Sequence, residues 1–400
     1  MTLRVAFVSM HTSPAERPGT ADAGGMNVLI HNIALALGKL DVQVHFITRR
    51  SGEEQPDEVE LAEGVTLHHV DAGPRAPLPK SEIHHHIDEF RRSMSGLGPF
   101  DLVHSHHWMS GVAALPLAHE WRVPHAMTFH SVAAHPNSSL RDGEPAETPE
   151  RLAGEVRCAE DSDLVIAVSH HEAAVVIGRC NADPERVTIV RPGVDVDMFH
   201  PLAAPSRWTP TPGTRPGYVV LAARLQPLKG PDLAIRAVAG VPADMRPDLV
   251  LVGQTSADFA GYAQELHQLV ADLGLEDNVA FLPGQDRDDL ARIMRHASVM
   301  LVPSHSETFG LVALEGSASG IPVLAAAAGG LTEAICNTHT GILIPSHDPE
   351  DWTRELTALL RDDEHRARLG ATGRQRALTM TWPMVAERLL ATYHRLLEIA

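Results

Sequence analysis

Cysteine is scarce in this sequence. Its 400 residues include three cysteines, Cys158, Cys180 and Cys336, which are widely separated and form no CxxC spacing. An odd, scattered set of this kind is neither a disulfide framework nor a cysteine-based zinc site. Since structural disulfides belong to oxidising compartments, the cysteine content favours a cytoplasmic protein.

Long apolar runs and an excess of positive charge are also lacking. No run approaches the roughly 18 apolar residues of a membrane span. The apolar start Leu3–Met10 contains Arg4 and leads into polar residues without a signal-peptide cleavage pattern. The chain carries 33 Lys and Arg against 51 Asp and Glu, a net charge of −18 with neutral histidines. Such an acidic surface disfavours nucleic acid and anionic membranes as partners.

The residues that are present indicate a globular α/β protein. Hydrophobic residues make up 44% and charged residues 21% of the 400, a length that exceeds one ordinary core and favours two domains. Short apolar runs alternate with helical stretches; in Gly25–Leu40, for example, Met26, Leu29 and Ile33 recur at helical spacing. Uniformly apolar strands separated by helices predict parallel sheets covered on both faces.

The proline-rich stretch Pro201–Gly217 interrupts this alternation and predicts a linker. We therefore expect two doubly wound, Rossmann-like domains, a front domain over residues 1–203 and a rear domain over residues 204–380. A helix within residues 381–400 is expected to cross back to the front domain. Such paired domains bind ligands at the carboxyl ends of their strands, in the cleft between them. Residues that follow strands are therefore the functional candidates.

Two cations follow the first strand of the rear domain. Arg224 and Lys229 come just after the apolar run Tyr218–Ala222, and a forked guanidinium beside a compact ammonium suits a diphosphate. Two solvated basic residues are the simpler interpretation of such a pair. Pro227 and Gly230, which constrain the loop, favour a binding site, as does a second motif.

The second motif places a glycine at the expected start of a helix, after the apolar run Val299–Pro303. Because no earlier carbonyl can accept their hydrogens, the N–H groups of Gly310, Leu311 and Val312 can bind a phosphate. The helix dipole adds to that attraction.

Two glutamates stand on either side of this glycine, Glu307 in the loop and Glu315 inside the helix. Their carboxylates can bind sugar hydroxyls on one side of the phosphate and ribose hydroxyls on the other. Both could instead be ordinary acids near a helix start. The glycine, the spacing and the cation pair together favour binding.

The front domain has a glycine pair of its own, Gly24 and Gly25, before its first helix. Bare N–H groups there could admit an anion, and a plain turn explains the pair equally well. The segment is not a GxGxxG motif, and no acidic residue follows the second strand. A dinucleotide-dependent oxidoreductase is therefore disfavoured.

Together these segments resemble the retaining family-four glycosyltransferases, whose GT-B fold consists of two Rossmann-like domains facing each other across a cleft. The Glu–x7–Glu pair of Glu307 and Glu315 matches that family's signature, and the similarity spans nearly the whole chain. His-Thr-Ser-Pro followed by Gly-Gly-Met-Asn resembles the inositol-phosphate subgroup more specifically. The matching segments are Ser9–Pro14, Gly24–Asn27, Val103–His106, Arg191–Asp195, Gln226–Lys229 and Ser306–Glu315.

The resemblance implies a nucleotide-sugar donor, with UDP-N-acetylglucosamine as the best candidate. Arg224 and Lys229 would neutralise its diphosphate, Glu307 would hold the sugar, and His130 would face the reacting sugar; these four are the implied catalytic residues. Further donor contacts would come from the diphosphate-facing backbone, a base-binding glutamine and the ribose-binding glutamate. The implied donor-binding residues are Gly25, Gln285, Gly310, Leu311, Val312 and Glu315.

The implied acceptor is a small phosphorylated polyol, and the best candidate is 1D-myo-inositol 3-phosphate. The implied pathway is a mycothiol-type biosynthesis. Two positions depart from the family: His107 stands where tyrosine is common, and Ser131 where threonine is common. Serine keeps the hydroxyl, whereas histidine changes the shape and makes phosphate binding pH-sensitive. The implied phosphate-binding residues are Lys80, His107, Ser131 and Arg151, and the implied ring contacts are His11, Asp22 and Asn27.

The resemblance also implies a magnesium ion on backbone carbonyls and a homodimer. The carbonyls are those of Met294, Arg295 and Ala297, but the threonine that completes the family's set is Ile321 here. No cofactor is required for the chemistry itself.

The expected reaction is front-face substitution through a short-lived oxocarbenium-like ion pair, in which the departing β-phosphate takes the proton of the incoming hydroxyl. No residue of the motifs is an evident carboxylate nucleophile. Other assignments are the same fold acting on another nucleotide sugar, for example a GDP-sugar, or on another acceptor, which His107 leaves open. A UDP-GlcNAc 2-epimerase would leave Lys80, Ser131 and Arg151 unexplained, and no lysine motif for a pyridoxal phosphorylase is present.

Overall fold

The computed structural model describes residues 2–16, 24–133, 147–204, 206–255, 259 and 261–399. Within these residues no helix combines the length and the apolarity that crossing a membrane demands. The predicted site residue Asp22 lies outside the described residues.

The front sheet has eight strands in the order β3-β4-β2-β1-β5-β6-β7-β8, and all neighbours are parallel except the antiparallel pair β3 and β4. Its strands are β1 (Arg4–Val8), β2 (Gln43–Arg49), β3 (Glu58–Ala62), β4 (Val65–Val70), β5 (Leu102–His106), β6 (His125–Thr128), β7 (Leu164–Ala167) and β8 (Val187–Ile189). Its helices are α1 (Gly25–Gly38), α2 (Lys80–Ile83), α3 (Ile87–Met94), α4 (Trp108–Trp121), α5 (Pro149–Asp161) and α6 (His170–Cys180).

The rear sheet has six parallel strands in the order β11-β10-β9-β12-β13-β14. They are β9 (Val219–Ala222), β10 (Leu249–Val252), β11 (Val279–Leu282), β12 (Val299–Val302), β13 (Val323–Ala326) and β14 (Gly341–Ile344). The helices are α7 (Pro231–Gly240), α8 (Tyr262–Asp272), α9 (Arg287–His296), α10 (Leu311–Ala318), α11 (Leu331–Ala334), α12 (Pro349–Arg361), α13 (Asp363–Ala377) and α14 (Trp382–Ile399).

Two doubly wound sheets are thus present, as the alternation of apolar runs and helical stretches predicts. Four central rear strands, β9, β10, β12 and β13, are buried along their whole length, which explains their unbroken apolar sequence. The strands β3 and β4 were not predicted. β3 lies at the sheet edge and is partly exposed throughout, so its Glu-Val-Glu-Leu-Ala sequence carries little apolar signal. The position of the boundary between the two domains stays a prediction.

In each sheet the strand order reverses beside the first strand. That point lies between β1 and β5 in the front sheet and between β9 and β12 in the rear sheet. Crevices at the carboxyl ends of strands at such reversals are the usual ligand sites of open α/β sheets. The segments after β1, β5, β9 and β12 are those in which the sequence places most of its candidate residues.

The helix α14 packs along α1 of the front domain. Its buried residues Val385, Leu389, Tyr393 and Leu396 recur every three or four positions, so they form one apolar stripe. The Tyr393 hydroxyl lies 2.6 Å from His104 Nδ1 on β5. This contact joins the end of the chain to the centre of the front sheet.

The hydrogen bonds around His104 fix its tautomer. Thr128 Oγ1 donates its one hydrogen to the Ile166 carbonyl at 2.9 Å, so it must accept from His104 Nε2, which lies 2.9 Å away. His104 Nδ1 is then the acceptor of the Tyr393 hydroxyl. Burial lowers the pKa of His104 well below its usual value, with further lowering by His130 and His125.

We expect Tyr393→Phe to lower the free energy of unfolding by about 1–3 kcal/mol, because His104 Nδ1 would lose its donor in a dry core. Urea denaturation of the full chain measures this change. Tyr262→Phe is the matched control, since its hydroxyl donates to the half-buried Asp232 at 2.9 Å, where water can replace it. Equal losses in the two variants would contradict the assigned role of His104.

The buried histidines predict that the free energy of unfolding decreases with acidification. Burial lowers the pKa of His104 and His106 well below the usual 6.5, and lowers that of His125 to about 3. The unfolded chain therefore binds protons below about pH 6.5 that the folded chain does not. Each such histidine contributes a loss of about 1.4 kcal/mol per pH unit in that window.

Urea denaturation at pH 7.5, 6.5 and 5.5 tests this expectation. His125→Gln should reduce the slope, whereas His394→Gln, on the exposed side of α14, should leave it unchanged. A free energy of unfolding that stays constant from pH 7.5 to pH 5.5 would show that these histidines protonate within the fold.

Candidate active site

The loops after β9 and β12 bring the predicted cation and carboxylate of the rear domain into contact. Lys229 Nζ lies 2.6 Å from Glu307 Oε1, and Ser304 Oγ donates to the same oxygen at 3.1 Å. The two side chains are 18% and 16% exposed, so the pair faces the cleft while most of it is shielded. Arg224 lies in the same region, two residues after β9.

The helix α10 presents its N-terminus beside this pair. Gly310 precedes it with φ of 96°, and a Cβ there would lie 2.5 Å from Leu331 Cδ2, so both backbone and packing require glycine. The Gly310 carbonyl accepts the N–H groups of Ala313 and Leu314. The N–H groups at positions 311 and 312 precede these bonds, and no side chain of the described residues caps the helix. This end of α10 can therefore receive an anion.

Glu315, on the next turn of α10, forms an ion pair that the sequence analysis missed. Arg287 Nη2 lies 2.7 Å from Glu315 Oε1, and the guanidinium also stacks 4.7 Å from the centre of the Phe199 ring. Gln285, two residues earlier, donates from Nε2 to the Pro283 carbonyl at 2.9 Å. The position of Arg287 just after β11 was the available signal, because it repeats the arrangement of a cation after a strand.

In the front domain, two histidines meet where β1 and β5 end. The rings of His11 and His107 have centroids 4.2 Å apart. Burial lowers the pKa of each well below 6.5, and the charges of Lys80 and Arg151 lower both further. These charge effects place Lys80 and Arg151 in the neighbourhood of the two rings, and Ser131 lies beside Arg151.

His107 has two features that are typical of a residue in a functional site. Its φ is 73°, a left-handed conformation that is costly for a side chain with a Cβ. It is 2% exposed, and neither of its buried ring nitrogens has a hydrogen-bond partner among the described residues. Buried polar atoms are normally paired, so the ring is suited to receive a ligand atom.

Arg151 is positioned by two carboxylates that the sequence analysis did not identify. Its Nε lies 2.8 Å from Glu155 Oε1 and its Nη1 lies 2.7 Å from Glu147 Oε1. The remaining Nη2 points to Ser131 Oγ at 3.3 Å. Burial raises the pKa of Glu155, and Arg151 opposes that rise. The spacing of four residues on either side of Arg151 was the signal for these pairs.

His130 lies between the candidate residues of the front domain and those of the rear domain. Its φ is 61°, its Nε2 lies 3.0 Å from His106 Nδ1, and its carbonyl accepts a hydrogen bond from Thr308 Oγ1 at 2.8 Å. Burial lowers the pKa of His130 to about 3, so its ring is neutral. Arg224 of the rear domain also contributes to lowering the pKa of His11. The front and rear candidate residues therefore face one cleft.

Two predicted residues at the start of α1 have distinct surroundings. A Cβ on Gly25 would lie 3.6 Å from Leu311 Cδ1, so Gly25 faces the start of α10 across the cleft. Asn27 is 1% exposed, and its Nδ2 donates to Thr12 Oγ1 and to the Ser13 carbonyl, both at 2.8 Å. Both amide hydrogens are thus used within the protein, and Asn27 holds the segment after His11 against α1.

The three carbonyls expected to hold magnesium fit that ion poorly. Met294, Arg295 and Ala297 precede β12 and lie at its amino end, opposite the edge that carries Glu307. The Met294 carbonyl already accepts the Ala297 N–H at 3.0 Å, and Ile321 supplies no side-chain oxygen. Magnesium requires near-octahedral oxygen coordination, and the described residues contain no cluster of three His, Cys, Asp or Glu side chains suited to a metal. No reaction step is assigned to a metal.

Comparison with known proteins agrees with this geometry. The family described as Glycosyltransferase Family 4 matches residues 23–198, and the family described as Glycosyl transferases group 1 matches residues 206–376. The D-inositol 3-phosphate glycosyltransferase of Stackebrandtia nassauensis is 42% identical over 98% of this chain and 91% of its own. The enzyme of the same name from Mycobacterium marinum is 37% identical over 98% of this chain and 85% of its own.

Solved structures share the architecture. Sucrose-phosphate synthase from Thermosynechococcus elongatus superposes with a TM-score of 0.89 at 26% identity over the whole of both chains. The Anabaena protein HepE in complex with UDP and glucose gives 0.76 at 19% identity, over 98% of this chain and all of that one. The predicted GT-B fold is thereby confirmed. With its two matched family regions and its full-length relatives, this chain belongs to the family-four glycosyltransferases of the GT-B fold.

Proposed function

We propose that the chain transfers N-acetylglucosamine from UDP-N-acetylglucosamine to 1D-myo-inositol 3-phosphate with retention of configuration, in mycothiol-type biosynthesis. The observation that carries this proposal is the pair of half-sites, Lys229 beside the start of α10 and Lys80 with Arg151 beside His107, across one cleft. A donor diphosphate and an acceptor phosphate each need such a site. Relatives named D-inositol 3-phosphate glycosyltransferase support this acceptor.

The donor diphosphate binds between Arg224, Lys229 and the N–H groups at the start of α10. An ammonium has three hydrogens, so Lys229 can keep its contact with Glu307 while it donates to a phosphate oxygen. Glu307 holds the sugar hydroxyls. On the far side of α10, Glu315 binds the ribose hydroxyls near Gln285 and the base, and Arg287 fixes its carboxylate.

The acceptor phosphate binds to Lys80, Arg151, Ser131 and His107. Because Glu147 and Glu155 hold two edges of the Arg151 guanidinium, its remaining nitrogen is directed toward the phosphate subsite beside Ser131. His107 contributes a neutral ring with one N–H donor. The inositol ring lies against His11, on the side toward the donor, and Asn27 acts by holding the adjacent backbone.

The chemistry is front-face substitution. The bond from the anomeric carbon to the diphosphate breaks as the acceptor hydroxyl approaches on the same face, and the departing β-phosphate takes the hydroxyl proton. Arg224, Lys229 and the α10 dipole stabilise the charge that develops on the diphosphate. The uncharged His130 ring packs beside the sugar. It does not act as an acid, because it remains unprotonated. The cleft excludes water and aligns the two substrates.

A homodimer in the cytoplasm, without nucleic-acid or membrane partners, completes the proposal. It rests on the acidic composition and the family resemblance. A second assignment is favoured by His107: the same fold acting on another nucleotide sugar, such as a GDP-sugar, or on another small acceptor.

We expect Lys229→Ala to lower kcat by about 100-fold or more, because the lysine acts on charge that grows in the transition state. The KM for the donor should change less, and Lys39→Ala, on the exposed end of α1, should leave both constants unchanged. Steady-state kinetics with both substrates measures this. A raised KM with an unchanged kcat would mean that Lys229 binds ground and transition states equally.

The substrates are tested by measuring nucleotide release from UDP- and GDP-sugars with inositol phosphate, with inositol and with no acceptor. We expect release only from UDP-N-acetylglucosamine together with the phosphorylated acceptor. Preference for a GDP-sugar or another acceptor would support the second assignment. Release without acceptor, accompanied by an isomerised sugar, would indicate an epimerase.

A further inference from the structure

Thr308, between Glu307 and Phe309, makes two hydrogen bonds to the front domain. Its Oγ1 donates to the His130 carbonyl at 2.8 Å, and its own carbonyl accepts the Ser169 hydroxyl at 2.7 Å. Thr308 lies in the loop between β12 and α10, residues 303–310, which we call the donor loop. One residue of the donor loop thus contacts both the loop after β6 and the loop after β7.

The front-domain partners of Thr308 are held rigidly. Ser169 is fully buried, caps α6 by accepting the Glu172 N–H at 3.0 Å, and has a single hydroxyl hydrogen that goes to Thr308. Glu172 is 3% exposed, its Oε2 accepts the Val168 N–H at 2.7 Å, and its carboxylate also faces the His130 N–H. One buried carboxylate therefore holds the loop after β7 and lies close to the backbone of His130.

The left-handed backbone of His130 belongs to this arrangement. A φ of 61° is unfavourable in a residue that carries a Cβ. That conformation directs the His130 carbonyl to Thr308, while the ring contacts His106. Strain of this kind persists where the surrounding contacts require it, and here the contacts come from both domains.

On the rear side, backbone packing couples the movements of the residues of the donor loop. Gly330 N donates to the Glu307 carbonyl at 2.8 Å, and a Cβ on Gly330 would lie 2.2 Å from the Thr308 carbonyl oxygen. The loop is therefore packed directly onto the backbone before α11. A shift at Thr308 must also displace Glu307, which contacts Lys229, and Gly310, which starts α10.

We propose that Thr308 is a positioning residue that sets the register of the donor loop against the front domain, and so aligns the donor sugar with the acceptor hydroxyl. The inference rests on the proposed function, because it requires a donor on the rear domain and an acceptor on the front domain. Reacting atoms must approach to about 3–3.5 Å, and a misplacement of about 1 Å can cost 100-fold in rate. Without its contacts the donor still binds, but water competes better with the acceptor.

The test compares Thr308→Val, which keeps the shape and loses the donor hydrogen, with Thr308→Ser, which keeps the hydroxyl. For Thr308→Val we expect kcat to fall about tenfold to 100-fold, with the KM for the donor within about threefold. The ratio of sugar transferred to UDP released should also fall. Thr308→Ser should restore both values to near those of the wild type, and Ser169→Ala should lower the ratio in the same direction.

Glu333→Gln is the matched control. Glu333 joins the same two domains by accepting the His170 N–H at 2.6 Å and Arg191 Nε at 3.0 Å, without contacting the donor loop. The substitution changes a charged contact between the domains that lies outside the donor loop, so it should leave the transfer-to-release ratio unchanged. Thermal denaturation identifies any variant that fails to fold, and the ratio measured for Ser169→Ala then decides.

An unchanged ratio in Thr308→Val, equal ratios in Thr308→Val and Glu333→Gln, or a Thr308→Ser enzyme that behaves like the valine variant would overturn the proposal. Failure of the proposed function is recognised separately, because the wild type itself would then transfer no sugar to inositol phosphate. The ratio is in that case measured with the donor and acceptor that the wild type does use.

Discussion

Three cations of the candidate site are each held by a glutamate, and the arrangement of the cleft depends on these pairs. Lys229 contacts Glu307, Arg287 contacts Glu315, and Arg151 lies between Glu147 and Glu155. A shielded cation without a partner would be costly, and several in one cleft would repel one another. The carboxylates offset that cost and fix the direction of each cation. The N–H groups of these cations that do not contact a carboxylate can then donate hydrogen bonds to a phosphate.

The second structural theme is a layer of neutral histidines beneath the cleft. His104, His106 and His125 lie on β5 and β6, where a parallel sheet usually carries apolar side chains. Burial keeps them uncharged, so they act as rigid donors and acceptors. The chain of contacts runs from Tyr393 through His104, whose ring lies 4.2 Å from that of His106, to His130. Hydrogen bonds and one contact between rings therefore connect the C-terminal helix to His130.

The sequence predicted the strands other than β3 and β4, and the loops in which the candidate residues lie, because both depend on local signals. Unbroken apolar runs mark buried parallel strands, and a glycine such as Gly310 at a helix start marks a close approach of backbone to ligand. The strand β3 lacked such a signal, because an exposed edge strand alternates polar with apolar residues. The partners of Arg287 and Thr308 lie 28 and 178 positions away along the chain, so only the folded arrangement shows these two contacts. Asn27 was recognised by its motif, but its amide hydrogens go to the Thr12 hydroxyl and the Ser13 carbonyl of the protein itself.

A two-domain transferase must solve an alignment problem that one domain does not have. Each half-site can bind its own substrate with contacts from its own sheet, so affinity alone does not require that the halves meet at a fixed distance. Electrostatic attraction between cations and phosphates is long-ranged and weakly directional. It therefore cannot fix the relative position of the two half-sites to within an ångström. Short hydrogen bonds can, because they weaken steeply with distance and angle. The bonds of Thr308 to His130 and Ser169 connect the loop after β12 to the front domain at that scale, next to Glu307. On the proposed arrangement, charge would provide the binding of each substrate and hydrogen-bond geometry would provide their alignment.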